Sequence, residues 1–121
     1  MYYFIGIKGS GMASLARILY DLGYEVAGSD IDKYIFLEDG LRERHIPIYS
    51  FNKDNIKDGM DVIVGNAFDR SNEEVAAAED NPNVTSLWMI ILLSVLQVHM
   101  VRLLLQVWLI IYLKTMIRQM Y

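Results

Sequence analysis

Three short stretches carry residue types able to do chemistry. In GIKGSGM, Gly6, Gly9 and Gly11 recur within six residues, with a cation at Lys8 and a hydroxyl at Ser10. Glycines let a backbone turn tightly and approach a ligand. Where such a turn opens a helix, free N–H groups and the positive end of the helix dipole face an anion. A diphosphate is the natural guest. The spacing departs from a strict GxGxxG, because Lys8 and Ser14 stand where that pattern, begun at Gly6 or Gly9, wants glycine. Phosphate binding and a purely structural turn both stay open. Asp30, nineteen residues beyond Gly11, stands where an acidic side chain accepts hydrogen bonds from a ribose; the alternative is an Asx-turn or N-cap at a strand end. In GNAF (65–68), Asn66 and the backbone at Ala67 could meet a base or ribose, or simply turn the chain. Lys8 either adds charge beside the diphosphate or, as is commoner for a loop lysine, is solvated. His45 and His99 are isolated from each other and from any carboxylate cluster, so neither is assigned a catalytic or metal-binding role, and no cysteine supplies a thiolate.

The elements that must position these residues follow from periodicity. YYFIGI (2–7) is a short apolar run, and in MASLARILYDL (12–22) the residues Met12, Leu15, Ala16, Leu19 and Leu22 fall at helical intervals, with Gly23 ending the helix at C′. YEVAG (24–28) predicts a second strand closed by Ser29 and Asp30. A helix over 34–44, strands over 46–50 and 60–65, and a helix over 71–80 follow, the last with Ser71 and Glu74 in capping-box positions; NVTS (83–86) begins a fifth strand. Alternation of this kind predicts an α/β fold, a Rossmann-like parallel sheet with flanking helices, over residues 1–86. The loops carrying Gly9, Asp30 and Asn66 then share the carboxyl edge of the sheet.

Charge divides the chain at the same place. Residues 1–86 hold all fifteen acidic side chains and eight basic ones, whereas 87–121 hold only Arg102, Lys114 and Arg118. An acidic body without a basic stripe argues against nucleic acid as a partner. The absence of cysteine suits a reducing, cytoplasmic setting, and MYYFIGIKGSG does not read as a secretion signal. From Leu87 the chain is apolar almost throughout and is expected to form an apolar helical tail. It is long enough for a membrane span, but Gln97, His99, Arg102 and Gln106 would lie within the span, where an arginine costs roughly 2.5–3.5 kcal/mol on insertion scales. Membrane insertion is therefore disfavoured, and self-association through the tail is the expectation in water.

YFIGIKGSGMASLARILYDLGYEVAGSD, the GNAF turn and NEEVAAA together closely resemble the N-terminal domain of the Mur ligase family, in its UDP-N-acetylmuramate–L-alanine ligase branch, from about Tyr3 to Ser86. The resemblance implies a domain that holds the UDP part of UDP-N-acetylmuramate, with Gly9, Ser10, Gly11 and Met12 at the diphosphate and Asp30, Asn66 and Ala67 near the uridine. In the family a central domain with a GTHGKT-type loop binds ATP and magnesium, an acyl phosphate forms on the muramoyl carboxylate, and the amine of L-alanine attacks it in this step of peptidoglycan synthesis. Two other classes stay open: an NAD-binding domain of an oxidoreductase or sensor, and a membrane-tethered nucleotide-binding module.

The family's ATP loop should follow the fifth strand, yet no GKT or GKS occurs anywhere, so no cofactor is expected in this chain and it is expected to be catalytically incompetent alone. Codon arithmetic supplies a reason. If the last base of each codon is joined to the first two of the next, QVHMVRLLLQVW (97–108) permits GTHGKTTTTGL, and the second glycine is forced at Met100 into Val101. The expectation is that residues 87–121 are an out-of-frame remnant of the ATP-binding region. Sequencing the gene across codons 80–121 checks it: the shifted frame should encode a GKT or GKS loop, and an early stop or a different peptide there refutes the idea.

Overall fold

The computed structural model describes residues 1–120, with the side chains of 90–93 and 95 outside the description. The chain runs β1 (Tyr2–Ile5), α1 (Ser10–Asp21), β2 (Val26–Ser29), α2 (Glu38–Glu43), β3 (Ile48–Tyr49), a 3-10 turn (Lys53–Asn55), β4 (Asp61–Val64), α3 (Glu73–Asp80), β5 (Thr85–Trp88) and α4 (Met89–Met120). All four strand pairings are parallel, in the order β3-β2-β1-β4-β5. The expected α/β parallel sheet with flanking helices and an apolar C-terminal helix is the architecture found. It comprises two compact units, Met1–Ile90 and Ile91–Tyr121.

Burial follows strand position. β2 is buried along its whole length and β1 and β4 from their second residue on, whereas β3 and β5 at the edges are partly exposed. A strand covered on both faces reads as a continuous apolar run, which is what YYFI and the VIV of β4 (62–64) are. Alternation then sorts the side chains: Tyr3, Ile5, Ala27, Val62 and Val64 build one core with Val75 and Ala78 of α3. α1 buries Met12, Ala13 and Ala16 and packs against β2 and α2. A Cβ at Gly28 would lie 2.6 Å from the Phe4 carbonyl oxygen and 2.7 Å from Ile7 Cδ1, so the centre of β2 has no room for a side chain on that side.

Several boundaries move for local reasons. α1 starts at Ser10, ahead of the expected Met12, because the Gly9 carbonyl already accepts from the Ala13 N–H (2.7 Å). Gly23 does end it, at φ +97°, with Tyr24 N–H donating to Leu19. The second helix is only Glu38–Glu43 rather than 34–44, since the exposed Tyr34 and Phe36 give an earlier turn nothing to pack on. The cap of α3 is Asn72, whose Oδ1 accepts from the Glu74 and Val75 N–H groups; Ser71, expected in that role, instead donates its hydroxyl to Asp69 (2.5 Å). β5 continues through Leu87 to Trp88, which pairs with Val64, so the sheet runs two residues past the expected boundary at 86.

Glu74, freed from capping, is fully buried. It accepts from the hydroxyls of Tyr3 (2.6 Å) and Ser29 (2.7 Å), tying α3 to β1 and β2. Burial pushes its pKa up, and these hydrogen bonds offset only part of that. A carboxyl whose folded pKa is raised contributes stability below the ordinary value of 4.5 that is lost as pH rises through the folded value. Glu74→Gln, neutral throughout, should therefore lack this loss. Urea denaturation followed by Trp88 fluorescence in a Trp108→Phe background should show the variant gaining on the parent chain between pH near 4.5 and neutrality; parallel pH profiles would refute it.

α4 is apolar on every side, and each described side chain from Leu96 to Met120 is exposed. Trp108 stacks on Tyr112 at 5.3 Å. By length and composition alone, Leu96–Met120 is long and apolar enough to cross a membrane.

Candidate functional site

Strand order reverses about β1, with β2 on one side and β4 on the other, and ligands of open parallel sheets bind at the carboxyl ends where this happens. The β1–α1 turn rises from that point. Gly6 adopts φ +87°, and the Gly6 and Ile7 N–H groups both donate to the Ser29 carbonyl (2.8 and 3.0 Å), which anchors the turn to β2. The Gly9 N–H closes it on the Gly6 carbonyl at 3.1 Å. Gly9, Ser10 and Gly11 are exposed at the start of α1, where no side chain caps the helix and no acidic residue sits in the first turn. The first N–H groups of a helix have no intrahelical acceptor, so this end presents donors and a positive dipole to solvent. Met12 faces inward and is buried, which leaves its backbone as the part able to meet a ligand.

Across the reversal point, the Gly65 N–H donates to the Ile5 carbonyl at 2.9 Å and the Phe68 N–H to Gly65 at 3.2 Å, so GNAF turns beside the glycine loop. Asn66 and Ala67 lie on that turn, both exposed. Phe68 folds back over Gly6, such that a Cβ on Gly6 would fall inside its ring, and it meets Phe51 edge-on at 5.3 Å. The expected site residues on these two turns thus line one edge.

Asp30 lies at the same edge but is only 7% exposed. Its Oδ2 accepts from the Lys8 N–H (2.8 Å) and its Oδ1 from the Ile31 N–H (2.7 Å). Each oxygen keeps one further lone pair. Lys8 is neither solvated nor free to face a phosphate: it is 4% exposed, and its Nζ donates to the carbonyls of Ile31 and Lys33 (2.9 Å each) and pairs with Glu38 at 3.2 Å. Glu38 also receives Arg42 at 3.0 Å. Burial works against its ionisation, but the hydrogen bonds from Lys8 and Arg42 outweigh it and hold the carboxyl below its ordinary range. Nothing in the local pattern announced this arrangement, because Glu38 stands within the helix expected over 34–44 as an ordinary charged side chain.

His45 is an exposed turn residue at φ +57°, and His99 lies on α4, in the other unit. Among the described residues no three His, Cys, Asp or Glu side chains come together in a way that would hold a metal ion. The sequence has no GKT or GKS loop, the element whose lysine and hydroxyl hold a triphosphate and its magnesium.

Comparison with known proteins places these features in context. Residues 1–87 match the model of the Mur ligase family, catalytic domain. Over 79 residues, 64% of this chain, the sequence is 65% identical to the UDP-N-acetylmuramate–L-alanine ligase of Lactobacillus delbrueckii subsp. bulgaricus, and the matched part is 18% of that enzyme. Among solved structures, the UDP-N-acetylmuramate-alanine ligase of Thermotoga maritima superposes with a TM-score of 0.62 at 30% identity, over 70% of this chain and 20% of that one. The UDP-N-acetylmuramate:L-alanyl-gamma-D-glutamyl-meso-diaminopimelate ligase of Neisseria meningitides gives 0.60 at 28% identity, over 72% and 28%. The chain thus matches about a fifth of the length of the curated relative.

The glycine turn makes a separable stability prediction. Gly59 has a similar φ of +83° but nothing within 4 Å of where an added methyl group would sit, whereas Gly6 has the Phe68 ring there. Gly59→Ala should cost about 1 kcal/mol from backbone conformation alone. Gly6→Ala should add an overpacking cost of about 1–3 kcal/mol. Equal losses in chemical denaturation would show that Phe68 does not press on the turn.

Proposed function

The chain belongs to the Mur ligase family, and from that premise we propose that its sheet unit holds the UDP part of UDP-N-acetylmuramate. The supporting observation is the uncapped start of α1 behind an exposed Gly9-Ser10-Gly11 turn, at the point where strand order reverses. In this proposal the backbone N–H groups of Gly9, Ser10, Gly11 and Met12 take the diphosphate. The GNAF turn, through Asn66 and Ala67, takes the uridine, and Asp30 borders it through the unused lone pairs of its carboxylate. The likeness to UDP-N-acetylmuramate–L-alanine ligases supports the muramoyl substrate and a cytoplasmic setting.

The ligation step itself lies outside what this chain can do in the same proposal. Phosphorylating a carboxylate needs a loop that cradles the β- and γ-phosphates and a lysine beside them, and neither occurs in the sequence. Residues 87–121 are proposed to be an out-of-frame remnant of the region that supplies them, with β5 ending in its first two residues. The domain would then bind nucleotide without turnover.

An NAD-binding reading draws no support from the likeness to UDP-N-acetylmuramate–L-alanine ligases. Calorimetry on the full chain should give heat with UDP-N-acetylmuramate and none with NAD, and no ADP should be released from ATP with L-alanine present. Binding of NAD without binding of the UDP-sugar would overturn the assignment.

A further inference from the structure

We propose that Lys8 is a positioning residue that clamps the glycine loop in its anion-ready shape by tying it to the turn after β2, without itself touching the ligand. The inference rests on the proposal that this loop receives a nucleoside diphosphate. An ammonium has three N–H donors and no acceptor, and the Lys8 Nζ meets three oxygens: Ile31 O, Lys33 O and a Glu38 carboxylate oxygen. The return connection is made by Asp30, whose carboxylate takes the Lys8 N–H with one oxygen and the Ile31 N–H with the other. Main chain and side chain of Lys8 therefore close a ring with Asp30 and Ile31, and Glu38 locks the ring to α2.

Two consequences follow. The one cation within the loop is spent on Glu38, so attraction for a diphosphate comes from the helix start and its N–H groups rather than from a lysine. The loop is also held in shape before any ligand arrives, which spares the ordering cost that a mobile glycine loop would add to binding. Gly9 directly follows Lys8 and its N–H closes the turn on Gly6, so slack at residue 8 passes straight to the donors at residues 9–12.

The test uses the full chain and the double variant Lys8→Met with Glu38→Gln, which removes both charges and leaves no buried charge unpaired. Amide exchange without ligand should speed up about tenfold or more at residues 8 and 31, while β1 and β4 stay protected. UDP affinity should fall about tenfold and uridine affinity change by less than about twofold, because uridine lacks the diphosphate the loop would hold. Unchanged exchange at residues 8 and 31 overturns the clamp, as does an equal loss of UDP and uridine, which a general weakening of the fold would give. If exchange accelerates but the parent chain binds neither UDP nor uridine, the clamp stands and the nucleotide assignment falls. Lys8→Met alone, which leaves Glu38 its pairing with Arg42, covers the case in which the double variant does not fold: faster exchange at residues 8 and 31 supports the clamp, and unchanged exchange overturns it.

Discussion

A buried ammonium must be surrounded by acceptors, since burying a charge without partners costs more than a small domain's whole margin of stability. Lys8 imposes that demand at the carboxyl edge of the sheet. To meet it, the turn after β2 offers two carbonyls and α2 offers Glu38, so that the β1–α1 and β2–α2 connections and the start of α2 are tied to one side chain. Removing one partner of such a pair leaves the other stranded, whereas the intact pair adds little net stability over an apolar replacement. Its value lies in fixing geometry.

The parallel sheet was legible because burial on both faces leaves a plain trace: YYFI and VIV (62–64) are unbroken apolar runs, and Gly23 stops a helix as its position suggests. That the glycine loop and GNAF share one edge was legible for the same reason, since alternating elements force those turns there. What escaped were long-range polar contacts. Lys8 and Glu38 are thirty residues apart, and each alone has the pattern of an ordinary solvated side chain. Glu74 was expected to cap a helix from position N3, but the cap is Asn72, and burial against Tyr3 and Ser29 claims the carboxyl instead. Phe68 gave no signal either, because its place over Gly6 depends on a glycine sixty-two residues earlier.

The two units follow different physics. In the sheet unit the central strands are covered on both faces, and α1 and α3 each bury one side and expose the other. α4 has no such division: leucine, isoleucine and valine point in all directions, with Arg102, Lys114 and Arg118 scattered among them. A helix apolar all round is at home in lipid or within a large core, not as a surface element of a small domain.

The Tyr3 hydroxyl lies where water does not reach, and burial, with the adjoining Glu74 carboxyl, raises its pKa well above that of an ordinary phenol. Of the eight tyrosines, Tyr24, Tyr34 and Tyr49 are about half exposed or more and have no such shelter. In an alkaline titration Tyr3 keeps its proton until α3 lifts off the sheet. The molecule thus carries a built-in optical gauge: the last phenolate to absorb in the ultraviolet marks the moment β1 loses its cover.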